Sequence, residues 1–408
     1  MEQLAGKIDP ARIRGAQGTH LRAALVPLAP AVIFILVVFV FPIAAIFYYA
    51  VDTADARAAF PRTRLAIASW SGADLPDAQA YQALVEDLRG AFVSRAIYPA
   101  ARELNNRMPG FRSIVISAGR QAQAWPPESG RDALLALDPV WGSVDHWRAI
   151  SSAVAPFTAY RLLAALDLRP QWNGLPVAAP VDQRIYVRYL GRTLWICAVV
   201  TVYCLVLGYP LAYLIATTSP SVARWLLTLT LLPFWTSILV RTAAWVVILQ
   251  QQGVVNGSLQ WAGLIEQPLT LIYNRVGVYV VMTHVLLPFM VLPVYSVMKG
   301  IPANLLPAAA SLGARPIAAF VQVYLPQSQP GIAAGCLMTF ILALGYYVTP
   351  ALVGGATDQM ESGLIAHFAL NEGNWGMAAS LAVILLLVVL LAYALYARFS
   401  RSKGLQWA

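Results

Sequence analysis

The chain has 408 residues, of which 59% are hydrophobic and only 12% are charged, and its formal net charge is +9. Soluble globular domains carry roughly 25% charged residues, so this composition excludes an ordinary water-soluble protein. Outside one long loop, the basic residues lie mostly beside the ends of apolar runs. That distribution is typical of membrane topology signals and argues against a nucleic-acid-binding face.

Six apolar stretches are long enough to cross a bilayer, which takes about 20 residues of helix. They lie near 24–51, 193–217, 225–250, 276–298, 331–353 and 376–397. The pattern predicts an all-α integral membrane protein with six transmembrane helices. The first stretch is longer than the roughly 7–15-residue core of a cleaved signal peptide, so we expect it to remain as an anchor.

Basic residues at both ends of the chain predict its orientation. Short loops and tails rich in Lys and Arg stay in the cytoplasm, and both 1–23 and 398–408 are basic. An even number of spans allows both termini to be cytoplasmic. The connections 252–275 and 354–375 then lie outside, and the loop 299–330 lies inside.

The long segment 52–187, between the first two spans, is predicted to lie outside as a small, mostly helical insertion. Loops longer than roughly 60 residues translocate largely regardless of their charge. Ala80, Leu84, Leu88 and Phe92 recur at helical spacing, and Pro76 is well placed to open that helix.

Breaks at 108–110, 125–130 and 172–180 predict further helical pieces in the insertion. The alternative is a loosely structured loop. Trp70, Trp141 and Trp147 favour the helical interpretation because they are candidates for a core.

Neither cysteine nor histidine spacing predicts a special site. Cys197, Cys204 and Cys336 all fall inside predicted spans, so no disulfide framework is indicated. The four histidines are scattered along the chain, and no His/Cys spacing is typical of zinc, so we expect no metal site.

A polar segment between the fourth and fifth spans reads "PAAASLGARPIAAFVQVYLPQSQPG", residues 307–331. Its alanines favour a short helix that can approach a partner surface closely. Gly313 is a stop signal for that helix, and prolines follow it. These features fit a docking element on the inner face, although a plain connector remains an alternative.

The same segment resembles the signature loop of permease subunits of type I binding-protein-dependent ABC importers. The family pattern is Glu-Ala-Ala, three residues, Gly, nine residues, an aliphatic, one residue, Leu-Pro. The matching residues here are Ala308, Ala309, Gly313, Val323, Leu325 and Pro326, followed by Pro330 and Gly331. Pro307 replaces the family's glutamate. We expect the docking helix to begin at Pro307, where a missing N–H is harmless.

Four further stretches look like the spermidine/putrescine-type branch of these permeases. They are "RTLWICAVVTVYCLVLGYPLAYLIA" (192–216), "LLPFWTSILVRTAAWVVIL" (231–249), "GVVNGSLQWAGLIEQPLTLIYN" (253–274) and "LGYYVTPALVGG" (344–355). The resemblance covers roughly 188–397. It implies a type I ABC importer permease fold with a permease core at 188–397 and a coupling loop at 299–330.

The resemblance also implies partners in a bacterial inner membrane. They are a second permease, a dimer of cytosolic ATPases, a periplasmic substrate-binding protein and membrane lipid, with no nucleic acid. The chain has no G-x-x-x-x-G-K-[ST] sequence, so ATP and Mg belong to the partner ATPase and this chain is not an enzyme. The implied coupling residues are Pro307, Ala308, Ala309, Gly313, Leu325 and Pro326.

Arg241 is the clear charged residue within a predicted span. Such a group costs about 2.5–3.5 kcal/mol at a helix centre, which makes it a functional candidate. At 1.5 Å per residue it lies about 24 Å from Trp225, toward the outer side. It either faces a cavity and binds an anion, or pairs with a carboxylate or helix-end carbonyls, and pairing is favoured.

Aromatic and imidazole side chains supply the other pathway candidates. Tyr346 and Tyr347 are predicted mid-span in the fifth helix, where they either hold an organic cation, at about 0.5–2 kcal/mol per contact, or pack between helices. For His284, interhelical hydrogen bonding is favoured over a proton relay. The pathway candidates are Arg241, Trp245, His284, Tyr346 and Tyr347.

Only four carboxylates follow residue 188, and the predicted topology puts all of them at the outer mouth: Glu266, Asp358, Glu361 and Glu372. That arrangement suits capture of a cationic solute such as a polyamine. Loop solvation and helix capping are an equal alternative, and Arg241 opposes a cationic solute. We therefore expect half of an ATP-driven import pathway for a polyamine or related small organic ion, with an ion-coupled secondary transporter as the alternative.

Overall fold

The computed structural model describes residues 28–126, 129–171 and 175–404. The predicted basic tail 1–23 lies outside the described residues, as do residues 405–408. The chain divides into two compact units, Met1–Tyr49 and Ala50–Ala408. In the first unit, the described residues are helical and highly exposed.

Six helical segments within the described ranges are long and apolar enough to span a membrane, as predicted. Spans 1 to 6 are Leu28–Val51, Tyr186–Thr217, Ile238–Trp261, Arg275–Lys299, Pro316–Gly345 and Trp375–Arg398. The last helix continues to Gly404, so the predicted C-terminal tail from 398 begins within a helix. Spans 4 and 6 lie within two residues of their predicted limits.

The third predicted span, 225–250, is wrong as a single helix. A helix at Pro220–Leu231 gives way to a tight turn at Leu232–Trp235, and a new helix runs over Ile238–Leu249. Pro233 has no N–H for a regular helical bond, so the first helix ends there. Ser237 then caps the next helix by accepting from the N–H of Leu239 at 3.3 Å. Span 3 continues through a short helix at Val254–Trp261.

The fifth span is displaced from its predicted range of 331–353. It begins at Pro316, passes through a π-helical turn at Phe320–Tyr324 and ends at Gly345. The wide turn ends two residues before Pro326, which cannot donate a regular helical bond. A separate helix, Val348–Val353, follows the break. Pro350 explains the break, because in a continuous helix its ring would clash with the carbonyl of Tyr346.

Spans 2, 4 and 5 form the core of the membrane region. Met290 of span 4 lies between Gly208 of span 2 and Gly335 of span 5, and a Cβ atom at Gly335 would lie 2.8 Å from its sulfur. Small residues allow this close helix packing within a membrane. The three cysteines are free, two of them fully buried, in agreement with the prediction of apolar cysteines.

Residues 54–154 form a helical module whose hydrophobic core lies entirely between Ala56 and Val154. Its helices are Ala54–Ala59, Pro61–Ala66, Ala78–Val93, Ile97–Arg107, Phe111–Gln121, Arg131–Leu137 and Val144–Val154, with a tight turn at Pro139–Gly142. Trp141 and Trp147 are fully buried, and Trp70 packs at the edge. The structure thus has a packed module here and not a loose loop.

The predicted helix with Ala80, Leu84 and Leu88 on its buried face is confirmed. Its opening residue differs from the prediction. Asp77, and not Pro76, is the N-cap, because its carboxylate accepts from the N–H of Ala80 at 3.0 Å.

The return segment 155–185 adds a helix at Tyr160–Ala164 and a two-stranded antiparallel ribbon, Leu168–Arg169 with Val177–Ala178, which the all-α prediction did not contain. Asp167 explains why span 2 starts at Tyr186 and not near 193. Its carboxylate accepts from three successive N–H groups, those of residues 185, 186 and 187, at 2.8–3.2 Å. These are orphan donors of the helix N-terminus.

A buried charge cluster joins the module to the membrane helices. The Glu103 carboxylate accepts from Arg107 and, at 2.7 and 3.0 Å, from Arg161. Arg161 also donates to the carbonyl of Asp52 at 2.6 Å, and a Cβ atom at Gly376 in span 6 would collide with its guanidinium. Burial by itself would raise the pKa of Glu103, but the two guanidiniums outweigh it and hold the pKa below its usual value.

Candidate coupling segment and translocation pathway

The loop between spans 4 and 5 contains a short helix, Leu305–Ser311. The prediction that it begins at Pro307 is wrong by two residues. Pro307 is the third residue of the helix, still within the first turn, where backbone N–H groups have no partner inside the helix. The proline is therefore tolerated without a kink, and Ser311 donates its hydroxyl to the Pro307 carbonyl at 3.0 Å.

Gly313 ends this helix in a Schellman motif. Its φ is +87°, in the left-handed region that favours glycine. The N–H of Gly313 donates to Ala310 at 2.9 Å, and the N–H of Ala314 donates to Ala309 at 3.1 Å. The predicted stop is confirmed, and the direction in which the chain leaves depends on that one residue.

Sequence reasoning missed two exposed apolar side chains that flank this turn. Leu312 is 90% exposed and Ile317 is 80% exposed. Ala308 is also exposed, while Ala309 is half-buried. The side chains of Leu312 and Ile317 are therefore available for contact with a partner on this part of the loop. In the sequence, the feature that could have indicated them is an apolar residue on each side of the turn sequence "GARP".

Leu325 and Pro326 do not lie in the loop. They begin the regular part of span 5, directly after the π-helical turn. Phe320 and Tyr324 of that turn pack on Tyr213 of span 2, with ring centroids 5.5 and 5.2 Å apart. Leu306 of the short helix packs against the same hydrophobic cluster. The loop helix is therefore connected mechanically to spans 2 and 5.

Arg241 lies in the first turn of the helix after the break, not deep in a continuous span. Its guanidinium donates to the carbonyls of Pro233 and Thr236, the latter at 2.9 Å, and its Nε donates to the Thr236 hydroxyl at 3.3 Å. The Pro233 carbonyl also accepts from the N–H of Thr236 at 3.4 Å and from its hydroxyl at 2.9 Å, so the guanidinium joins the hydrogen bonds of the turn that interrupts the span. The geometry matches the favoured interpretation of pairing with helix-end carbonyls.

Trp245 and His284 pair with each other across two spans. The indole Nε1 donates to His284 Nδ1 at 3.1 Å, and the two rings meet edge to face at 5.3 Å. Because Nδ1 accepts, a neutral His284 carries its proton on Nε2. This is the interhelical hydrogen bond that the sequence favoured.

Tyr346 and Tyr347 occupy the break after span 5 and not the middle of a helix. Tyr347 is 42% exposed, and the carbonyl of Tyr346 accepts from the Ser362 hydroxyl at 2.7 Å. The helix after the break packs on the broken span 3, where the hydroxyls of Thr242 and Thr349 lie 3.4 Å apart. Two interrupted helices therefore meet in the membrane region.

The four carboxylates do not form one open acidic surface, contrary to the arrangement expected of a capture site. Asp358 is buried and pairs with Arg275 at 2.9 Å. Glu372 pairs with His367 at 3.1 Å, and Glu266 is exposed. Glu361 is only 1% exposed. Asp358 and Glu372 are thus paired with other side chains of this chain. The sequence did not predict Arg275 as a partner, because it lies 83 residues from Asp358.

No group of three or more His, Cys, Asp or Glu side chains that could hold a metal ion occurs among the residues described.

Comparison with known proteins identifies the chain's relatives. Residues 208–404 match the family model described as binding-protein-dependent transport system inner membrane component. The spermidine/putrescine transport system permease protein PotB of Escherichia coli strain K12 is 35% identical over 217 residues, which cover 53% of this chain and 79% of that protein. PotB of Salmonella typhimurium strain SL1344 is 34% identical, covering 53% and 76%.

Among solved structures, a chain of a bacterial alginate ABC transporter matches with a TM-score of 0.46 and 19% identity, covering 54% of this chain and 79% of that one. The family match and the similarity to PotB over three quarters of its length lead to one conclusion. The chain belongs to the family of binding-protein-dependent transport system inner membrane components and is a multi-pass permease of an ABC importer, not an enzyme in its own right.

Proposed function

We propose that this permease forms half of the pathway by which a polyamine or a related small organic cation enters the cell. The observation that carries the substrate class is the similarity to PotB, whose name specifies spermidine and putrescine. Membership of the importer family decides against the alternative of an ion-coupled secondary transporter. Under this proposal, Tyr346 and Tyr347 at the break of span 5 offer aromatic faces to the solute.

The proposed transporter complex contains a second permease and two cytosolic ATPases, which bind ATP and Mg. Both termini and the 305–311 helix face the cytoplasm, and the insertion faces the periplasm. Leu312 and Ile317 support this arrangement, because an exposed apolar pair beside the Gly313 turn fits a cleft in a partner protein. The membrane core extends over 188–397, with a type I permease fold, and contacts lipid on its outer surface.

Uptake by the complete transporter tests this function. We expect proteoliposomes containing this permease, its partner permease, the ATPase and the binding protein to accumulate labelled spermidine, and to do so only with ATP and with the binding protein. The reason is that the chain has no phosphate-binding loop of its own. Accumulation driven by an ion gradient, with this polypeptide alone in the vesicle, would contradict the proposal.

We further propose that the helical module at 54–154 receives the binding protein. Its ends permit a clean deletion, because the Thr53 hydroxyl donates to the Ala155 carbonyl and the N–H of Thr158 donates to Val51 at 2.9 Å. A short Gly-Ser linker can therefore replace 54–154. Because this deletion also removes Glu103, the counter-charge of buried Arg161, it is combined with Arg161→Leu so that no guanidinium is left buried without that carboxylate.

The deletion should abolish stimulation of ATP hydrolysis by the binding protein and leave basal hydrolysis intact, as measured on the purified complex. Unchanged stimulation would refute the receptor role. Loss of the second permease from the purified complex would instead favour a cap between the two permeases.

A further inference from the structure

Glu361 stands at a junction of three elements of the membrane region. It is the first residue of the helix Glu361–Ala366, and its N–H donates to the hydroxyl of Thr193 in span 2 at 2.8 Å. The next residue, Ser362, donates to the carbonyl of Tyr346 at the break of span 5. The Glu361 side chain is 1% exposed. A carboxylate is therefore enclosed where span 2, the break of span 5 and the short helix meet.

One oxygen of the Glu361 carboxylate lacks a hydrogen-bond partner in the described part of the chain, unlike the carboxylate of Asp358 nearby. The Oε2 atom of Glu361 is buried and has no hydrogen-bond partner among the described residues. The nearby donors serve other acceptors. The Thr193 hydroxyl donates to Tyr189 at 2.8 Å, and the guanidinium of Arg192 donates to the carbonyl of Gln359 at 3.1 Å.

An enclosed carboxylate without a counter-charge is unfavourable in its ionised form. Burial raises the pKa of Glu361 to about 7. Asp358, three residues earlier, shows the usual solution, since a guanidinium neutralises it. None of the described residues supplies a counter-charge to Glu361, so its ionised form needs a positive charge and a hydrogen-bond donor from another source. A primary or secondary alkylammonium group supplies both at once, because it carries a positive charge and two or three N–H donors.

We propose that Glu361 is the specificity-determining carboxylate of this pathway, which binds a protonated amine of the passing solute. The inference rests on the proposed polyamine import and adds the residue that selects for an amine. Tyr347 lies next to the same short helix, because a Cβ atom at Gly363 would come within 4.0 Å of the Tyr347 Cβ atom. Neutral and anionic solutes would leave the carboxylate unpaired, so they are rejected.

Access to Glu361 requires the 361–366 helix to move away from span 2. Few polar contacts hold it there, chiefly those to Thr193 and to Tyr346.

The test uses the complete transporter in proteoliposomes, with labelled spermidine as the probe. Glu361→Gln keeps the shape and removes the charge, so we expect spermidine uptake to fall at least tenfold. Glu361→Asp keeps the charge and should retain uptake within about threefold. Asp182→Asn is the matched control, because Asp182 is an exposed carboxylate outside the membrane helices, and it should transport like the parent protein.

A second measurement does not depend on transport. In infrared difference spectra of the detergent-solubilised complex, addition of spermidine with its binding protein should remove a protonated-carboxyl band, and Glu361→Asp should shift that band. Parental uptake by Glu361→Gln, or a band that spermidine leaves unchanged, would overturn the inference while polyamine import itself stands. A parent transporter that imports neither spermidine nor putrescine would overturn both.

Discussion

Gly313→Val should reduce ATP-driven uptake at least tenfold while the permease still inserts and assembles. The φ of +87° at Gly313 is a conformation that a β-branched residue strongly disfavours, at a cost of the order of 1–2 kcal/mol or more. To relieve that strain, the turn has to rearrange and the hydrogen bonds to Ala309 and Ala310 have to break. Leu312 would then point elsewhere, and the proposed contact with the ATPase would be lost.

The measurement is uptake per ATP hydrolysed, with the amount of assembled complex determined in parallel. Gly313→Asn should retain most of the activity, because asparagine tolerates the left-handed region. Gly263→Val is the matched control. Gly263 also has a positive φ, +66°, and nothing lies within 4 Å of an added Cβ atom at either glycine. It therefore carries similar strain outside the coupling segment and should remain within about twofold of the parent. Normal uptake by Gly313→Val would remove the coupling role.

Glu103→Gln should lower the stability of the helical module far more than any substitution of a surface residue. Arg107 and Arg161 are 7% and 6% exposed, and Glu103 is their shared counter-charge. Removing one partner of a buried ion pair typically costs about 3–5 kcal/mol, because the remaining charge is left unpaired. The cluster also lies against Gly376 of span 6, so loosening it should weaken the junction between the module and the membrane helices.

Proteolysis within 54–154, followed as a function of urea concentration, measures this effect on the intact permease. Glu86→Gln is the control, because the Glu86 carboxylate pairs with Arg62 at 2.8 Å on the surface and such pairs contribute about 0–1 kcal/mol. Equal urea midpoints for the two variants would show that the buried cluster does not stabilise the module.

The short-range features of this protein follow from its sequence because their causes are local. Twenty apolar residues in a row predict a span, and a glycine after an alanine-rich helix predicts its end, so the six spans and the Gly313 stop were predicted correctly. The start of span 2 was not, and neither were the boundaries of spans 3 and 5. There, Pro233 and Pro350 interrupt apolar runs that hydropathy alone treats as continuous.

Two long-range contacts of charged residues were beyond reach of the sequence, since their partners lie far along the chain. Arg161 is 58 residues from Glu103, and Thr193 is 168 residues from Glu361. Composition and hydropathy determined that six segments of the described chain are apolar and long enough to cross a membrane, because the cost of exposing polar groups to lipid acts on every residue separately. The tertiary structure alone decided that Asp358 is neutralised and Glu361 is not, because the state of a buried carboxylate depends on which donors the fold brings within 3 Å of it.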